Sequence, residues 1–100
     1  MTLPLVFRAA AQHEFDEAAL RYEAQRRGLG TDFVARVQQV LDEVGKQPNR
    51  YPIVLGNVRE APVARFPFCI YYRAKRDRIV ILSVFHCSRD PAVWQARIKP

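Results

Sequence analysis

The amino-acid sequence predicts a single α+β domain: an N-terminal strand, an antiparallel helical hairpin packed on a mainly antiparallel three- to four-stranded sheet, and a short C-terminal helix. Three observations carry this. Two windows in the first half repeat apolar residues at the helical period, the second half holds three runs rich in β-branched and aromatic residues, and only short connections join them. Helices gathered in one half and strands in the other make a layer of helices on one face of an antiparallel sheet. At 100 residues the chain can build one core but not two, so residues 1–100 are read as one domain.

Leu3 to Phe7 is an apolar run with Pro4 near its start, which suits an edge or opening strand because proline brings no N–H to a ladder. From Arg8 to Arg27 the residues Ala11, Phe15, Ala18 and Tyr22 recur at helical spacing, with Glu14, Asp16, Glu17, Glu23 and Arg26 around them. Gly28-Leu29-Gly30 then stops this first helix, and Gly30 or Thr31 opens the next. The second helix runs from Asp32 to Lys46 with Phe33, Val37, Leu41 and Val44 on one face, and Gly45 and Pro48 end it. So short a link forces an antiparallel hairpin.

Asn49 to Asn57, flanked by Pro48 and holding Pro52 and Gly56, reads as the crossing loop, anchored to the core by Tyr51 and Ile53. Strands follow at Val58 to Val63, Phe66 to Ala74 and Ile79 to Cys87. The polar Lys75-Arg76-Asp77-Arg78 joins the last two as a hairpin. Asp90 is an acceptable N-cap, Pro91 fits the first helical position, and Ala92 to Lys99 supply a terminal helix.

Composition narrows the class. With 49% hydrophobic and 26% charged residues the chain is of the ordinary globular kind. The opening MTLPLVFRAA lacks the basic leader and long apolar run of a signal peptide, and nothing later approaches the roughly 20 apolar residues of a membrane span. The cytoplasm is the expected compartment, with no membrane partner. Cys69 and Cys87 fall inside apolar strand patterns and are read as small hydrophobes of the core, not as a disulfide or metal pair.

The net charge of +6 is unevenly spread. Residues 1–49 hold 6 basic and 7 acidic side chains, whereas residues 50–100 hold 10 and 3. Such asymmetry indicates a polyanionic partner, either nucleic acid or an acidic protein segment, or else a surface that is merely solubilising. Arg59, Arg65, Arg73, Arg76, Arg78 and Arg89 are spread through the strand half. Guanidinium groups on a sheet face or rim bind phosphates and carboxylates through paired hydrogen bonds, although Arg59 and Arg73 equally suit solvent-facing strand positions.

His86 stands at the end of the last strand, where it can exchange protons in phosphodiester cleavage or simply hold the loop into the final helix. Trp94 and Arg97, three apart on that helix, offer a binding surface, with closure of the core as the alternative for Trp94. His13, His86 and the two cysteines have no metal-ligand spacing, so no metal is expected. There is no glycine-rich phosphate loop and no nucleophile elbow, and no cofactor is expected.

Several segments together resemble the ParE/RelE toxin superfamily of type II toxin–antitoxin systems, most closely its ParE branch. They are Ala11 through Tyr22, the Gly28-Leu29-Gly30 hinge with Phe33 and Val37, the Arg59 strand, Arg65-Phe66-Pro67-Phe68 leading into Ile70-Tyr71-Tyr72, and His86-Cys87-Ser88-Arg89-Asp90-Pro91 with Trp94 and Arg97. The resemblance implies a helical hairpin on a curved sheet and a ParD-like antitoxin that wraps the toxin, its acidic residues meeting the arginines. It also implies one of two targets. ParE toxins act on DNA gyrase, whereas RelE relatives cut messenger RNA on the ribosome.

RelE-type cleavage needs a proton acceptor, a proton donor and cations on the transition state. Arg65, His86 and Arg89 are the candidate catalytic set for such a ribonuclease. Where many RelE relatives carry a tyrosine near the C-terminal end, this chain has the Pro91 to Trp94 segment, and an indole is neither acid nor base. The expectation is therefore a non-catalytic gyrase inhibitor whose antitoxin- or target-binding residues are Arg59, Arg65, Arg73, Arg89, Trp94 and Arg97. A ribosome-dependent endoribonuclease and a degenerate, non-toxic antitoxin-binding scaffold are the alternatives.

Overall fold

The computed structural model describes residues 2–98. Strand β1 (Leu5–Phe7) leads into helices α1 (Ala9–Gln25) and α2 (Leu29–Lys46), followed by β2 (Ile53–Leu55), β3 (Val58–Pro62), β4 (Phe68–Ala74), β5 (Ile79–His86), a one-turn helix α3 (Ala92–Gln95) and a 3-10 turn at Ala96–Ile98. The strands form one sheet in the order β1-β5-β4-β3-β2. β1 runs parallel to β5 and every other pairing is antiparallel. The architecture is the one expected from the sequence, with a fifth strand, β2, inside the segment read as a crossing loop.

The helical hairpin covers one sheet face. Phe33, Val37, Leu41 and Val44 of α2 and Ala11 and Ala18 of α1 are buried with Ala61, Phe68, Ile70, Tyr72, Ile79, Ile81 and Val84 of the sheet. Phe33 is the centre of an aromatic cluster, with Tyr22, Phe66 and Phe68 all about 5 Å from it between ring centroids. The opposite face is buried too, at one end. There Val58, Tyr71, Val80, Leu82 and Phe85 pack beneath Trp94, which stacks on Tyr71 with centroids 3.9 Å apart and planes 16° from parallel. So short a terminal helix is held by this packing and by Asp90, whose carboxylate accepts from the Ala92 N–H at 3.0 Å.

Glycines set the hairpin. Gly28 has φ of +87°, which turns the chain sharply enough for α2 to begin at Leu29, three residues before the expected start. The N–H groups of Gly28 and Gly30, orphaned at the helix start, both donate to the Glu23 carboxylate. These bonds hold the Glu23 pKa below its usual value. At Gly30 a Cβ would lie 2.5 Å from the Ala19 carbonyl oxygen, so the close crossing of α1 and α2 requires glycine.

Some local expectations need correction. Gly45 does not end α2 but lies inside it, where the N-terminal segment crosses and the Leu3 N–H donates to the Gly45 carbonyl. Ile53 is 52% exposed, because β2 is the outer edge of the sheet; of the two expected anchors it is Tyr51 that packs inward, edge-on to Tyr72. Cys87 lies beyond the end of β5 and is exposed, so it is no core residue, whereas Cys69 is half-buried and packs against the outer cluster. The expected terminal helix becomes 3-10 after Gln95, and its last residue, Lys99, lies outside the described residues. No described helix is long and apolar enough to cross a membrane.

Candidate functional site

Because β1 is only three residues long, its ladder with β5 ends at Phe7 and Ile81, leaving the second half of β5 as an uncovered edge. A bulge follows at once. Tyr71 pairs with Ser83 and Tyr72 with Ile81, so β5 carries one extra residue there and Ser83 and Val84 are both turned to where α1 passes. Glu14 of α1 satisfies this edge. Its Oε1 accepts from the Ser83 hydroxyl at 2.8 Å and from the Val84 N–H at 3.2 Å.

The same carboxylate binds two cations from the C-terminal segment. Arg97 donates to both oxygens, each at 3.0 Å, and to the Leu82 carbonyl at 3.4 Å; Arg89 donates to Oε2 at 3.0 Å. Glu14 is only 11% exposed, Arg97 is 25% exposed and Arg89 is 44% exposed. Burial alone would push the Glu14 carboxyl upward; the bonds from Arg97, Ser83 and Val84 outweigh it and hold the pKa below its ordinary value. This knot joins α1, β5 and the chain end.

Around the knot opens a cleft of about 350 Å³, lined by His13, Glu14, Glu17 and Arg21 of α1, Phe68 of β4, and Val84, His86, Arg89 and Arg97. His86 meets Phe68 at 5.0 Å between ring centroids. Its Nδ1 accepts from the Ser88 N–H at 3.0 Å and lies 2.8 Å from the Ser88 hydroxyl. Accepting at Nδ1 leaves the ring N–H on Nε2, and the histidine orders the turn that presents Arg89.

Arg65 is elsewhere. It occupies the turn between β3 and β4 with φ of +70°, an unusual conformation for a residue with a Cβ. It lines a second cleft of about 450 Å³ with Arg26, Asp32, Arg36, Gln39 and an apolar floor of Leu29, Ala35 and Phe66. The candidate ribonuclease set of Arg65, His86 and Arg89 is thus divided between two clefts.

The remaining expected contact residues also have internal work. Arg59 donates to the Tyr51 carbonyl at 2.6 Å and the Asn49 carbonyl at 3.3 Å, fastening the loop that carries β2. Arg73 donates to the Asn57 side chain at 2.9 Å. Trp94 is 3% exposed and closes the outer core, so it offers no free aromatic anchor. Among the described residues no group of three or more His, Cys, Asp or Glu gathers as metal ligands.

A third surface is apolar. Leu55, Gly56, Ala92, Gln95, Ala96 and Ile98 line an open trough of about 600 Å³, and Ile53, Val54 and Val93 beside it are exposed as well. One side of β2 has no neighbouring strand, so its backbone groups on that side are available to another chain.

Sequence reasoning missed Glu14 and this trough. Glu14 had a signal: it is three residues after Ala11 and four before Ala18, so it shares the core-facing stripe of α1. An acid in that position requires partners, and Arg89 and Arg97 were already singled out.

Comparison with known proteins bears on the fold and the family. Residues 5–91 match the family described as the ParE toxin of the type II toxin–antitoxin system parDE. Among solved structures, the chromosomal ParDE toxin–antitoxin system from P. aeruginosa has the same fold, with a TM-score of 0.74 at 19% sequence identity over 85% of this chain and 96% of that one. No curated protein sequence matches the chain at a significant level. The family match spans the helical hairpin, the sheet and the turn bearing His86 and Arg89, and the chain belongs to the ParE toxin family of type II toxin–antitoxin systems.

Proposed function

We propose that the protein inhibits DNA gyrase by direct binding and is neutralised by a ParD-like antitoxin. The observation that carries the non-catalytic part is the division of the candidate ribonuclease set. Arg89 is committed to Glu14, His86 gives its Nδ1 to Ser88, and Arg65 lines another cleft. Transition-state stabilisation requires cations and a proton shuttle within hydrogen-bond reach of one phosphate. These three residues do not converge in that way.

For the antitoxin, the apolar trough beside the free β2 edge suits an extended or helical segment with apolar side chains, since exposed apolar surface of this kind gains most from being covered. Acidic residues on the same antitoxin would find Arg26, Arg36 and Arg65 around the second cleft. Expression in a bacterium lacking the antitoxin is the test. Growth arrest accompanied by DNA-damage signalling, and relieved by co-expressed antitoxin, is expected. Rapid cutting of transcripts on polysomes would overturn the gyrase assignment in favour of a ribonuclease, and absence of arrest would leave a binding scaffold.

A further inference from the structure

We infer that Cys69 and Cys87 form a thiol modification site, oxidised by a hydroperoxide to an intramolecular disulfide that fastens the start of β4 to the end of β5. Their sulfurs lie 3.9 Å apart with no bond between them. Two features of the sheet create the approach. Cys69 pairs with Phe85, so Cys87, two residues further along, projects from the same outer face; and the Cys87 N–H donates to the Pro67 carbonyl at 2.8 Å, continuing the ladder past the end of β5. The two thiols are therefore held as diagonal neighbours across adjacent strands.

The pair is asymmetric, and this sets the order of events. Cys87 is exposed and open to a small oxidant. Cys69 is half-buried, and burial together with its neighbour Cys87 and the Glu60 carboxylate pushes its pKa up to about 12, so it remains a protonated thiol. The Cys87 thiolate attacks one oxygen of hydrogen peroxide, the O–O bond breaks, and the products are Cys87 sulfenic acid and hydroxide, which becomes water by taking the proton that the Cys87 thiol released. The Cys69 sulfur then attacks the Cys87 sulfur. The S–O bond breaks, and the sulfenic hydroxyl leaves with the Cys69 proton as water, so two thiols and one peroxide give one disulfide and two waters. The product ties down the strand ends from which the Ser88–Arg89 turn springs.

Treating the purified chain with a small excess of hydrogen peroxide tests this, with thiols counted and intact mass measured. The expected result is loss of both thiols together, a mass lower by two hydrogens, a chain that stays monomeric without reductant, and a Cys87 sulfenic acid that a trapping reagent captures at least about tenfold less in the folded chain than in urea, because the fold holds Cys69 beside it. Cys69→Ser should stop at a sulfenic acid on Cys87, one oxygen heavier, and Cys87→Ser should oxidise far more slowly than wild type. Disulfide-linked dimers as the main product would overturn the inference. Equal trapping of the sulfenic acid in folded and unfolded chain, or independent overoxidation of each sulfur, would do so as well.

Discussion

Replacing Glu14 with glutamine keeps the shape of the side chain and removes the charge that Arg97 and Arg89 share. The amide retains one oxygen for Ser83 and Val84 but presents N–H groups where Arg97 donates its second bond. A hydrogen bond to a charged group contributes about 1.5–3 kcal/mol. Counting the Arg97 fork as the main loss, and discounting Arg89 because an exposed cation is screened, gives a destabilisation of about 2–3 kcal/mol. For a domain of this size that lowers Tm by about 10–20 °C.

The pH dependence follows from the direction of the shift. Glu14 titrates below its usual value in the folded protein. A carboxyl of this kind stabilises fully above its unfolded pKa, and that contribution is lost as pH falls through the folded value. Chemical denaturation of wild type and Glu14→Gln between neutral and acidic pH should therefore show a gap that is widest at neutrality and closes in acid. A gap below about 0.5 kcal/mol at neutrality, the range of an ordinary surface substitution, would refute the buried knot, as would a gap constant into acid.

Other substitutions probe separate parts of the fold. Gly30→Ala adds a Cβ 2.5 Å from the Ala19 carbonyl, which cannot yield without parting the helices, and should cost about 1–3 kcal/mol in urea denaturation; an unchanged midpoint would mean the crossing is looser. Arg59→Ala frees the carbonyls of Asn49 and Tyr51, so amides of residues 50–55 should exchange faster while those of β4 and β5 do not. Trp94→Phe keeps the stack on Tyr71 and deletes an indole N–H that has no hydrogen-bond partner among the described residues, so it should remain within about 1 kcal/mol of wild type, against about 3–5 kcal/mol for Trp94→Ala. Equal losses for the two would mean that the indole N–H matters.

The helices and central strands were legible because their patterns are long. Phe33, Val37, Leu41 and Val44 repeat through α2, and β4 and β5 are dense in Ile, Val, Tyr and Phe. β2 was not legible, since its three residues are all exposed and no alternation distinguishes an edge strand from an apolar loop. Nor was the bulge at Ser83, which arises from pairing across strands and leaves no local mark.

At the candidate site, the arginines were visible as cations but their partners were not. Arg89 and Arg97 are neutralised by an acid some 75 to 83 residues away in the chain, a pairing that no local pattern encodes. The contrast between a near-neutral helical half and a basic strand half thus overstates the free positive charge. The cations beside the second cleft include Arg36 of α2 and Arg26, which caps the end of α1.

Inhibition of gyrase by binding requires no chemistry at His86. Its most direct measurement is DNA supercoiling by purified gyrase in the presence of the wild-type protein and of His86→Ala. Both should inhibit to the same extent, and antitoxin should abolish the inhibition. Gyrase left active by the wild type, together with ribosome-bound messenger RNA cut by it and spared by His86→Ala, would instead identify a ribonuclease.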